Sequence, residues 1–473
     1  MDNNERVDVA IVGAGTAGLA ALQEVRERTG NLVIINAGPY GTTCARVGCM
    51  PSKALIAAAN AFHARTRLDE FGIRGAEALR ADIPAVLHRV RALRDDFVAG
   101  VLKATDRLGA RSIAGHARLD GPNRLIVGER RIEARQIILA PGSSPIIPQP
   151  WQAFGERIIT SDTLFEQEDL PRRIGVIGLG AIGIEIAQAL ARLGLEIHGF
   201  DGATRVAGIS DPKVAQVVQD LLAREFDIHL DAQVELAEAE GGIALRWDGR
   251  EVIVDKVIAA VGRRPNLQGL GLETLGVPLD AAGMPQVDPR TMRIGDTPVF
   301  LAGDANGQRP LLHEGADDGH SAGLNASLEA PVRLSRRTPL SVVFSEPQIA
   351  SVGQRARDLD PDMTLTGEVS FARQSRARTM QENHGLLRLY AARADGRLLG
   401  AEMVAPAAEH MAHLLALGVG QGLTVHDLLR MPFYHPTLEE GLRSALRSVA
   451  RELPPCSVSD LAACGPTGAE ALD

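Results

Sequence analysis

The sequence predicts an α/β fold in which two doubly wound, Rossmann-like domains precede a smaller α+β domain. A pattern of apolar strand, glycine-rich turn and Ala/Leu-rich helix occurs near Val7 and again near Arg173. Each copy continues into another apolar strand, which is the order of a βαβ unit with parallel strands. From about residue 338, strand candidates and then helices replace this alternation, as expected for an α+β domain. A chain of 473 residues has room for about three ordinary domains.

The first glycine-rich turn contains Gly13, Gly15 and Gly18 and follows a strand predicted over residues 7–12. A helix and a second predicted strand, over residues 31–35, complete the βαβ unit. Glycines in this spacing permit a tight turn and let a pyrophosphate approach the helix N-terminus closely. Because a strand precedes the turn and a helix follows it, we predict a dinucleotide site here.

The second glycine-rich turn repeats the spacing with Gly178, Gly180 and Gly183, so the sequence predicts a second dinucleotide. The strand that follows its helix is predicted to end at Asp201. An acid in this position accepts the ribose hydroxyls of NAD and repels the 2′-phosphate of NADP. NAD is therefore favoured, although a solvated turn residue is the alternative interpretation of Asp201. The nearest downstream arginine is Arg205, beyond a short run of Gly, Ala and Thr.

Composition excludes several classes of function. The formal net charge is −9, so neither nucleic acid nor an anionic membrane is an expected partner. No apolar run reaches the roughly 18 residues of a membrane span. The N-terminal residues lack the features of a targeting segment, so we expect a cytoplasmic protein. The 4 cysteines are too few for a secreted disulfide scaffold and indicate a reducing compartment.

Two of the cysteines, Cys44 and Cys49, form a C-x4-C pair about 26 residues beyond the first glycine-rich turn. In a reducing compartment such a pair indicates reactive rather than structural thiols. A metal site is the alternative, but this pair without other clustered Cys or His supplies two ligands at most. We therefore predict no metal site.

Two segments resemble motifs of one family. The run GTTCARVGCMPSK at residues 41–53 resembles the redox motif of the class I pyridine nucleotide-disulfide oxidoreductases, and HPTLEE at residues 435–440 resembles their acid–base motif. The resemblance covers roughly residues 7–446. It implies an oxidoreductase with FAD and NAD as cofactors. It also implies a homodimer, because in this family the acid–base motif comes from the partner subunit.

The resemblance assigns the catalytic roles. Cys49 is implied to be the flavin-side thiol and Cys44 the interchange thiol that substrate sulfur attacks, the two forming a redox disulfide. Two thiols are needed because electrons leave the substrate by thiol–disulfide exchange and reach the flavin from the second sulfur. His435 is implied to deprotonate the incoming dithiol, and Glu440 to orient its imidazole.

The resemblance also assigns cofactor contacts. Lys53 and Glu185 are implied to pair beside the flavin, although each alone could be a surface charge. Asp304 matches a residue that hydrogen-bonds the ribityl chain, with a plain loop acid as the alternative. Asn36 occupies the position of a family glutamate that binds the adenosine ribose; its amide can accept a hydroxyl but lacks the carboxylate charge. Gly262, at a glycine turn after a strand, is counted with the cofactor-binding residues.

These assignments predict a division into domains. We expect an FAD-binding domain over residues 1–150 and 272–337 and an NAD-binding domain over residues 151–271. A C-terminal dimerisation domain is expected over residues 338–453. Residues 454–473 are rich in Pro, Gly, Ser and Ala and are predicted to be a mobile tail.

The preferred functional interpretation is oxidation of dihydrolipoamide with NAD+, which makes a lipoyl-bearing protein a candidate partner. The alternative within the family is an NAD(P)H-dependent reductase of mercuric ion or of another disulfide. Cys456 and Cys464 would then serve as a second thiol relay, although the two are eight positions apart. An alternative of another class is a flavoprotein scaffold subunit of a multienzyme complex.

Overall fold

In each of the two strand and glycine-turn patterns, the strand that precedes the turn lies in the interior of a parallel sheet. The computed structural model describes residues 4–465. Strands, numbered in chain order, are β1 (Asn4–Val12), β2 (Leu32–Asn36), β3 (Ser112–Ala114), β4 (Ala117–Leu119), β5 (Arg124–Val127), β6 (Arg130–Leu139), β7 (Ser143–Pro145), β8 (Ile158–Thr160), β9 (Arg173–Ile177), β10 (Glu196–Phe200), β11 (Asp227–His229), β12 (Glu235–Ala239), β13 (Gly242–Trp247), β14 (Arg250–Val254), β15 (Lys256–Ala259), β16 (Arg263–Pro265), β17 (Val299–Leu301), β18 (Leu340–Val343), β19 (Gln348–Gly353), β20 (Thr364–Ser370), β21 (Leu386–Ala392) and β22 (Leu398–Ala405).

The α-helices are numbered in the same way, and short 3-10 helices lie between several elements. The α-helices are α1 (Thr16–Arg26), α2 (Thr43–Arg46), α3 (Cys49–His63), α4 (Ile83–Asp106), α5 (Ser161–Leu164), α6 (Ala181–Arg192), α7 (Pro212–Leu222), α8 (Leu312–Ser327), α9 (Ser375–Thr379), α10 (Ala408–Gly420), α11 (Val425–Leu429) and α12 (Glu440–Ala450).

The chain divides into two units, each assembled from segments that are distant in sequence. The first unit consists of residues up to Ser52 with His88–Ile146 and Gly262–Arg336. The second unit consists of Lys53–Leu87, Ile147–Val261 and the chain from Arg337 onward. The first unit therefore contains the first glycine-rich turn, and the second unit contains the second turn and the C-terminal sheet.

The first unit is built on a parallel sheet with strand order β3-β2-β1-β6-β17. Val9, Ala10 and Ile11 of the central strand β1 have no exposed surface. Consecutive buried residues are expected in a parallel strand that is covered on both faces. The antiparallel strands β4 and β5 continue the sheet from the N-terminal part of β6.

Helices α1 and α8 of the first unit pack at very short range. A Cβ added at Gly319 would lie 2.1 Å from the Ala17 carbonyl oxygen, and one at Gly323 would lie 2.6 Å from the Ala21 carbonyl oxygen. The two helices therefore contact each other through their backbones. Glycine at these two positions of α8 is a packing requirement.

The second unit contains another parallel sheet, with strand order β11-β10-β9-β15-β8. An antiparallel meander of β12, β13 and β14 adds Trp247 to two rings of the parallel sheet. The Phe200 ring centroid lies 4.8 Å from that of His229 and 4.8 Å from that of Trp247. Burial lowers the pKa of the His229 imidazole, which favours its neutral form.

The C-terminal part of the second unit is an antiparallel sheet with strand order β18-β19-β22-β21-β20, packed against α10 and α12. A buried carboxylate joins this sheet to the residues just before α7. Glu402 of β22, with no exposed surface, accepts hydrogen bonds from the Ser210 backbone N–H and hydroxyl, both at 2.7 Å, and from the Asp211 N–H at 2.9 Å. The two regions thus share one buried polar network.

The predicted fold class is confirmed: two doubly wound regions and a C-terminal α+β region. The predicted domain boundaries stay a prediction, since the division of the chain into two units does not address them. Of the predicted tail, residues 466–473 lie outside the described residues. Upstream of them, Asp460 accepts a 3.0 Å hydrogen bond from Arg430 and Ala462 is buried. Within residues 4–465, no helix combines the length and apolar character that a membrane span requires.

Gly319→Ala is expected to destabilise the first unit by about 1–3 kcal/mol, because the added methyl group would overlap the Ala17 carbonyl. The matched control is Gly315→Ala on the same helix, where the nearest atom to the added Cβ is 3.6 Å away. The control should keep or raise stability, since alanine favours helix by up to about 1 kcal/mol. Denaturant unfolding of both variants checks this, and equal midpoints for the two would contradict the packing account.

Candidate active site

The two redox-motif cysteines lie on consecutive helical segments. Cys44 is half-buried within α2, and Cys49 is exposed as the first residue of α3, a helix of 15 residues. A Cβ at Gly48 would lie 3.2 Å from the Cys44 Cα, so the chain passes close to Cys44 just before it reaches Cys49. The unsatisfied N–H groups at the start of a helix favour a thiolate. The position of Cys49 therefore suits a reactive thiol.

The first glycine-rich turn combines two packing glycines with one open glycine. A Cβ at Gly13 would lie 2.1 Å from the Ala140 carbonyl oxygen, and one at Gly18 would lie 1.8 Å from the Gly13 carbonyl oxygen. A Cβ at Gly15 would have no atom within 4 Å, and Gly15 is the N-cap of α1 without a side-chain cap. This open helix N-terminus fits the pyrophosphate of FAD.

Asn36, the last residue of β2, is hydrogen-bonded to the first glycine-rich turn. Its Oδ1 accepts a 3.0 Å hydrogen bond from the Ala14 N–H, and its Nδ2 donates to the Gly38 carbonyl at 3.1 Å. The amide thus holds the glycine-rich turn in place at the end of β2. Each polar atom of the amide retains capacity for one more hydrogen bond, which is compatible with the predicted ribose contact.

Asp304 lies in a 3-10 turn, Gly303–Asn306, just after β17. The Ser143 hydroxyl donates to Asp304 Oδ2 at 2.7 Å, and Arg263 Nε donates to that hydroxyl at 2.9 Å. Gly262 precedes Arg263 with a φ of 116°, and its carbonyl accepts from the Ile146 N–H at 3.0 Å. Gly262 therefore shapes the strand turn that carries Arg263. This Arg263–Ser143–Asp304 chain was not predicted from sequence.

The second glycine-rich turn has the same geometry as the first. A Cβ at Gly178 would lie 2.3 Å from the Ala260 carbonyl oxygen, and one at Gly183 would lie 1.8 Å from the Gly178 carbonyl oxygen. A Cβ at Gly180, the N-cap of α6, would have no atom within 4 Å. The turn thus presents a second open helix N-terminus, which fits the pyrophosphate of NAD.

Asp201 follows β10, which ends one residue earlier than predicted, at Phe200. Its Oδ2 accepts from the Leu179 N–H at 2.6 Å and its Oδ1 from the Ala203 N–H at 2.8 Å. Asp201 therefore holds the second turn as Asn36 holds the first, but with a negative charge. Nearby Arg205 donates a hydrogen bond to the Ser210 carbonyl.

Lys53 and Glu185 form the ion pair that the resemblance implies, and its place beside a flavin stays a prediction. The Lys53 ammonium lies 2.9 Å and 2.8 Å from the two carboxylate oxygens of Glu185. Glu185 Oε1 also accepts from the Phe344 N–H at 3.0 Å, and the Lys53 ammonium lies 4.6 Å from the Phe344 ring centroid. The side chain of Glu185 is only 8% exposed, so these donors compensate a largely buried charge.

His435 and Glu440 form the contact that the resemblance implies, and their catalytic roles stay a prediction. His435 Nδ1 lies 3.0 Å from Glu440 Oε2, and the carboxylate accepts further hydrogen bonds from the Thr437 N–H at 3.2 Å and from Arg443 at 3.0 Å. Because a carboxylate only accepts, Nδ1 is the donor in this contact. His435 is 40% exposed while Glu440 is 6% exposed. A largely buried carboxylate therefore orients a more exposed imidazole.

The tail cysteines have less distinctive surroundings. Cys456 is half-buried and Cys464 is exposed. Arg447 of α12 donates to the Cys464 carbonyl at 3.4 Å and to the Gly465 carbonyl at 3.0 Å. These hydrogen bonds hold the backbone at Cys464 beside α12, and α12 is also the helix that begins with Glu440.

Comparison with known proteins agrees with this geometry. The profile of the pyridine nucleotide-disulphide oxidoreductases matches residues 7–319, and the profile of their dimerisation domain matches residues 340–446. The chain is 30% identical to a dihydrolipoyl dehydrogenase of Thermus scotoductus, covering 94% of this chain and 98% of that protein. It is 28% identical to a mercuric reductase of Acidithiobacillus ferrooxidans, covering 96% and 84%.

Among solved structures, LpdA from Mycobacterium tuberculosis has a TM-score of 0.82 and 26% identity, with 94% of this chain and 99% of that chain covered. The two glycine-rich turns, the thiol pair and the oriented histidine all lie within the residues that the two family profiles match. Members of this family use FAD and NAD(P). The chain therefore belongs to the pyridine nucleotide-disulphide oxidoreductases, as an FAD-dependent oxidoreductase that carries the dimerisation domain of that family.

Proposed function

We propose that the protein oxidises dihydrolipoamide with NAD+, as a dihydrolipoyl dehydrogenase does. The observation that carries the proposal is the His435–Glu440 pair, an oriented base of the kind that deprotonation of a dithiol requires. The thiols Cys44 and Cys49 supply the disulfide that such a substrate reduces. Similarity to a dihydrolipoyl dehydrogenase over nearly the whole chain supports this choice of substrate.

Each residue has a defined role in this proposal. Substrate sulfur attacks Cys44 in the Cys44–Cys49 disulfide while Nε2 of His435, contributed by the other subunit of the homodimer, accepts the proton of the attacking thiol. The second substrate sulfur then displaces Cys44, which releases the oxidised cyclic disulfide and leaves both cysteines reduced. Glu440 stabilises the imidazolium that forms on His435. FAD, when bound, supplies the two-electron exchange between the cysteine pair and the nicotinamide.

The choice of NAD over NADP rests on Asp201. A carboxylate at this position accepts the ribose hydroxyls and repels a 2′-phosphate. The first arginine after Asp201 in the sequence, Arg205, donates to the Ser210 carbonyl. Both features favour NAD.

A second candidate is reduction of mercuric ion or of another disulfide. The similarity to a mercuric reductase and the exposed thiol of Cys464 favour it. In this case NAD(P)H would supply the electrons, and Cys456 and Cys464 would receive them from the first thiol pair. The scaffold interpretation has less support, because a protein without turnover has no use for the oriented base at His435.

Cys44→Ser is expected to lower anaerobic NAD+ reduction by dihydrolipoamide at least about a thousandfold, because the nucleophilic thiol exchange is lost. Cys49→Ser should have the same effect. The measurement is NADH formation by the FAD-loaded homodimer, with Cys456→Ser as the matched cysteine control, which should keep wild-type turnover.

Turnover that survives in Cys49→Ser would contradict the proposed mechanism. If wild-type protein accepts electrons from NADH but does not oxidise dihydrolipoamide, the substrate assignment fails. NADH-dependent reduction of mercuric ion by wild type and Cys464→Ser would then test the second candidate.

Asp201→Asn is expected to lower the preference for NAD+ over NADP+ by about ten- to a hundredfold, since hydrogen bonds to a charged group contribute about 1.5–3 kcal/mol. The asparagine can still accept from the Leu179 N–H, so the turn should persist. Ratios of kcat/KM for the two nucleotides check this. Asp248→Asn, an exposed turn position of the same unit, is the control. An unchanged ratio in Asp201→Asn would remove Asp201 from nucleotide selection.

A further inference from the structure

The segment of residues 344–346, just after β18, contacts both members of the Lys53–Glu185 ion pair. The Phe344 N–H donates to Glu185 Oε1 at 3.0 Å, and the Phe344 ring lies 4.6 Å from the Lys53 ammonium. One donor of a largely buried carboxylate therefore belongs to a backbone segment outside the helices that carry the pair. If that segment moved, Glu185 would lose a hydrogen bond and Lys53 its aromatic neighbour.

The side-chain amide of Gln188 holds this segment through hydrogen bonds to the backbone of Glu346. Its Oε1 accepts from the Glu346 N–H at 2.8 Å, and its Nε2 donates to the Glu346 carbonyl at 2.8 Å. Gln188 is only 4% exposed, so water cannot easily replace these two hydrogen bonds. The same Nε2 donates to Glu225 Oε1 at 2.9 Å, which fixes the orientation of the amide.

Arg192 provides a second hydrogen bond to the Glu346 carbonyl. Its Nη2 donates to the Glu346 carbonyl at 2.9 Å, while its Nε donates to Glu225 Oε2 at 2.6 Å. Its Nη1 donates to Asn60 Oδ1 at 2.6 Å. The guanidinium is 5% exposed and is neutralised by Glu225, the arrangement that a buried cation needs.

These contacts follow one face of α6. Glu185, Gln188 and Arg192 are spaced three and four residues apart, so they lie on one side of the helix. Lys53 and Asn60 of α3 have the same seven-residue separation as Glu185 and Arg192, roughly 10 Å along each helix. The α3 residues are therefore joined to α6 at two levels, and residues 344–346 are held along the same face.

We propose that Gln188 and Arg192 are positioning residues that fix the Lys53–Glu185 ion pair through the backbone of residues 344–346. The inference rests on the proposed function in one respect: the ion pair, which the resemblance places beside the flavin, serves the exchange of electrons between the nicotinamide and that flavin. A displacement of about 1 Å at such a site can lower a rate as much as a hundredfold. Gln188 acts through the backbone of residues 344–346, and Arg192 acts through that backbone and through Asn60 of the helix that carries Lys53. Neither residue is assigned to the catalytic machinery.

The test uses Gln188→Leu and Arg192→Met in the FAD-loaded homodimer. Stopped-flow absorbance gives the limiting rate of flavin reduction by NADH and the NADH dissociation constant. Hydrogen exchange of the Phe344 and Glu346 amides reports the segment directly, without turnover. Gln216→Leu is the matched glutamine control, since Gln216 is exposed on α7 and bonds to Asp220. Arg157→Met is the arginine control, since the Arg157 side chain is 38% exposed and pairs with Glu238.

The expected result is faster amide exchange at residues 344–346 and a flavin reduction rate lowered by about ten- to a hundredfold. FAD content and the NADH dissociation constant should change by less than about twofold, and both controls should behave as wild type. A merely structural role would change exchange and melting temperature but leave the limiting rate unchanged, and that outcome would overturn the proposal.

Arg192→Lys is a more conservative variant for the case in which Gln188→Leu or Arg192→Met fails to fold. Lysine keeps the buried cation beside Glu225 but cannot reach Asn60, Glu225 and the Glu346 carbonyl at once. A lowered limiting rate with intact FAD binding would support the proposal, and a wild-type rate would overturn it. Protein that NADH reduces but dihydrolipoamide does not contradicts the proposed function alone, because this test uses only the NADH half of the reaction.

Discussion

The two nucleotide sites depend on backbone contacts that any side chain would prevent. A Cβ at Gly13 would overlap the Ala140 carbonyl, and one at Gly178 would overlap the Ala260 carbonyl. Without these side chains each helix begins directly beside the end of a neighbouring strand, with its first N–H groups unsatisfied by the helix itself. Those N–H groups are what a pyrophosphate binds. This close approach also brings the two turns beside Asn36 and Asp201, the polar residues at the strand ends that accept hydrogen bonds from backbone N–H groups of the turns.

Buried carboxylates recur through the structure, and each is bound by several donors. Glu185, Glu402 and Glu440 all receive a backbone N–H together with at least one side-chain donor. Burial of a carboxylate costs several kcal/mol unless such donors compensate it. The donors therefore fix the position of each charge, which matters where an ammonium or an imidazole must be held in one orientation. At Glu402 the same principle joins two parts of the second unit.

Local patterns in the sequence predicted the parts of the site that are local in structure. The glycine spacing, the C-x4-C pair and the contact of His435 with Glu440 all fall within short segments, so a single motif contains both partners. The connection between Gln188 and the Glu346 backbone spans 158 positions, and that between Ser143 and Asp304 spans 161. No periodicity in the sequence predicts that residues so far apart are in contact. Only the spacing of Gln188 from Glu185 on one helix face offered a signal.

The central claim is that the cysteine pair and the flavin exchange electrons in one site. Anaerobic titration of the FAD-loaded protein with NADH tests it most directly, because each redox couple accepts one hydride equivalent. Electron exchange in one site predicts that wild type consumes a second equivalent of NADH beyond the one that reduces the flavin. It also predicts a long-wavelength charge-transfer band in the partly reduced protein, and that Cys49→Ser loses both. Wild type that stops at a single equivalent, with no such band, would contradict the account.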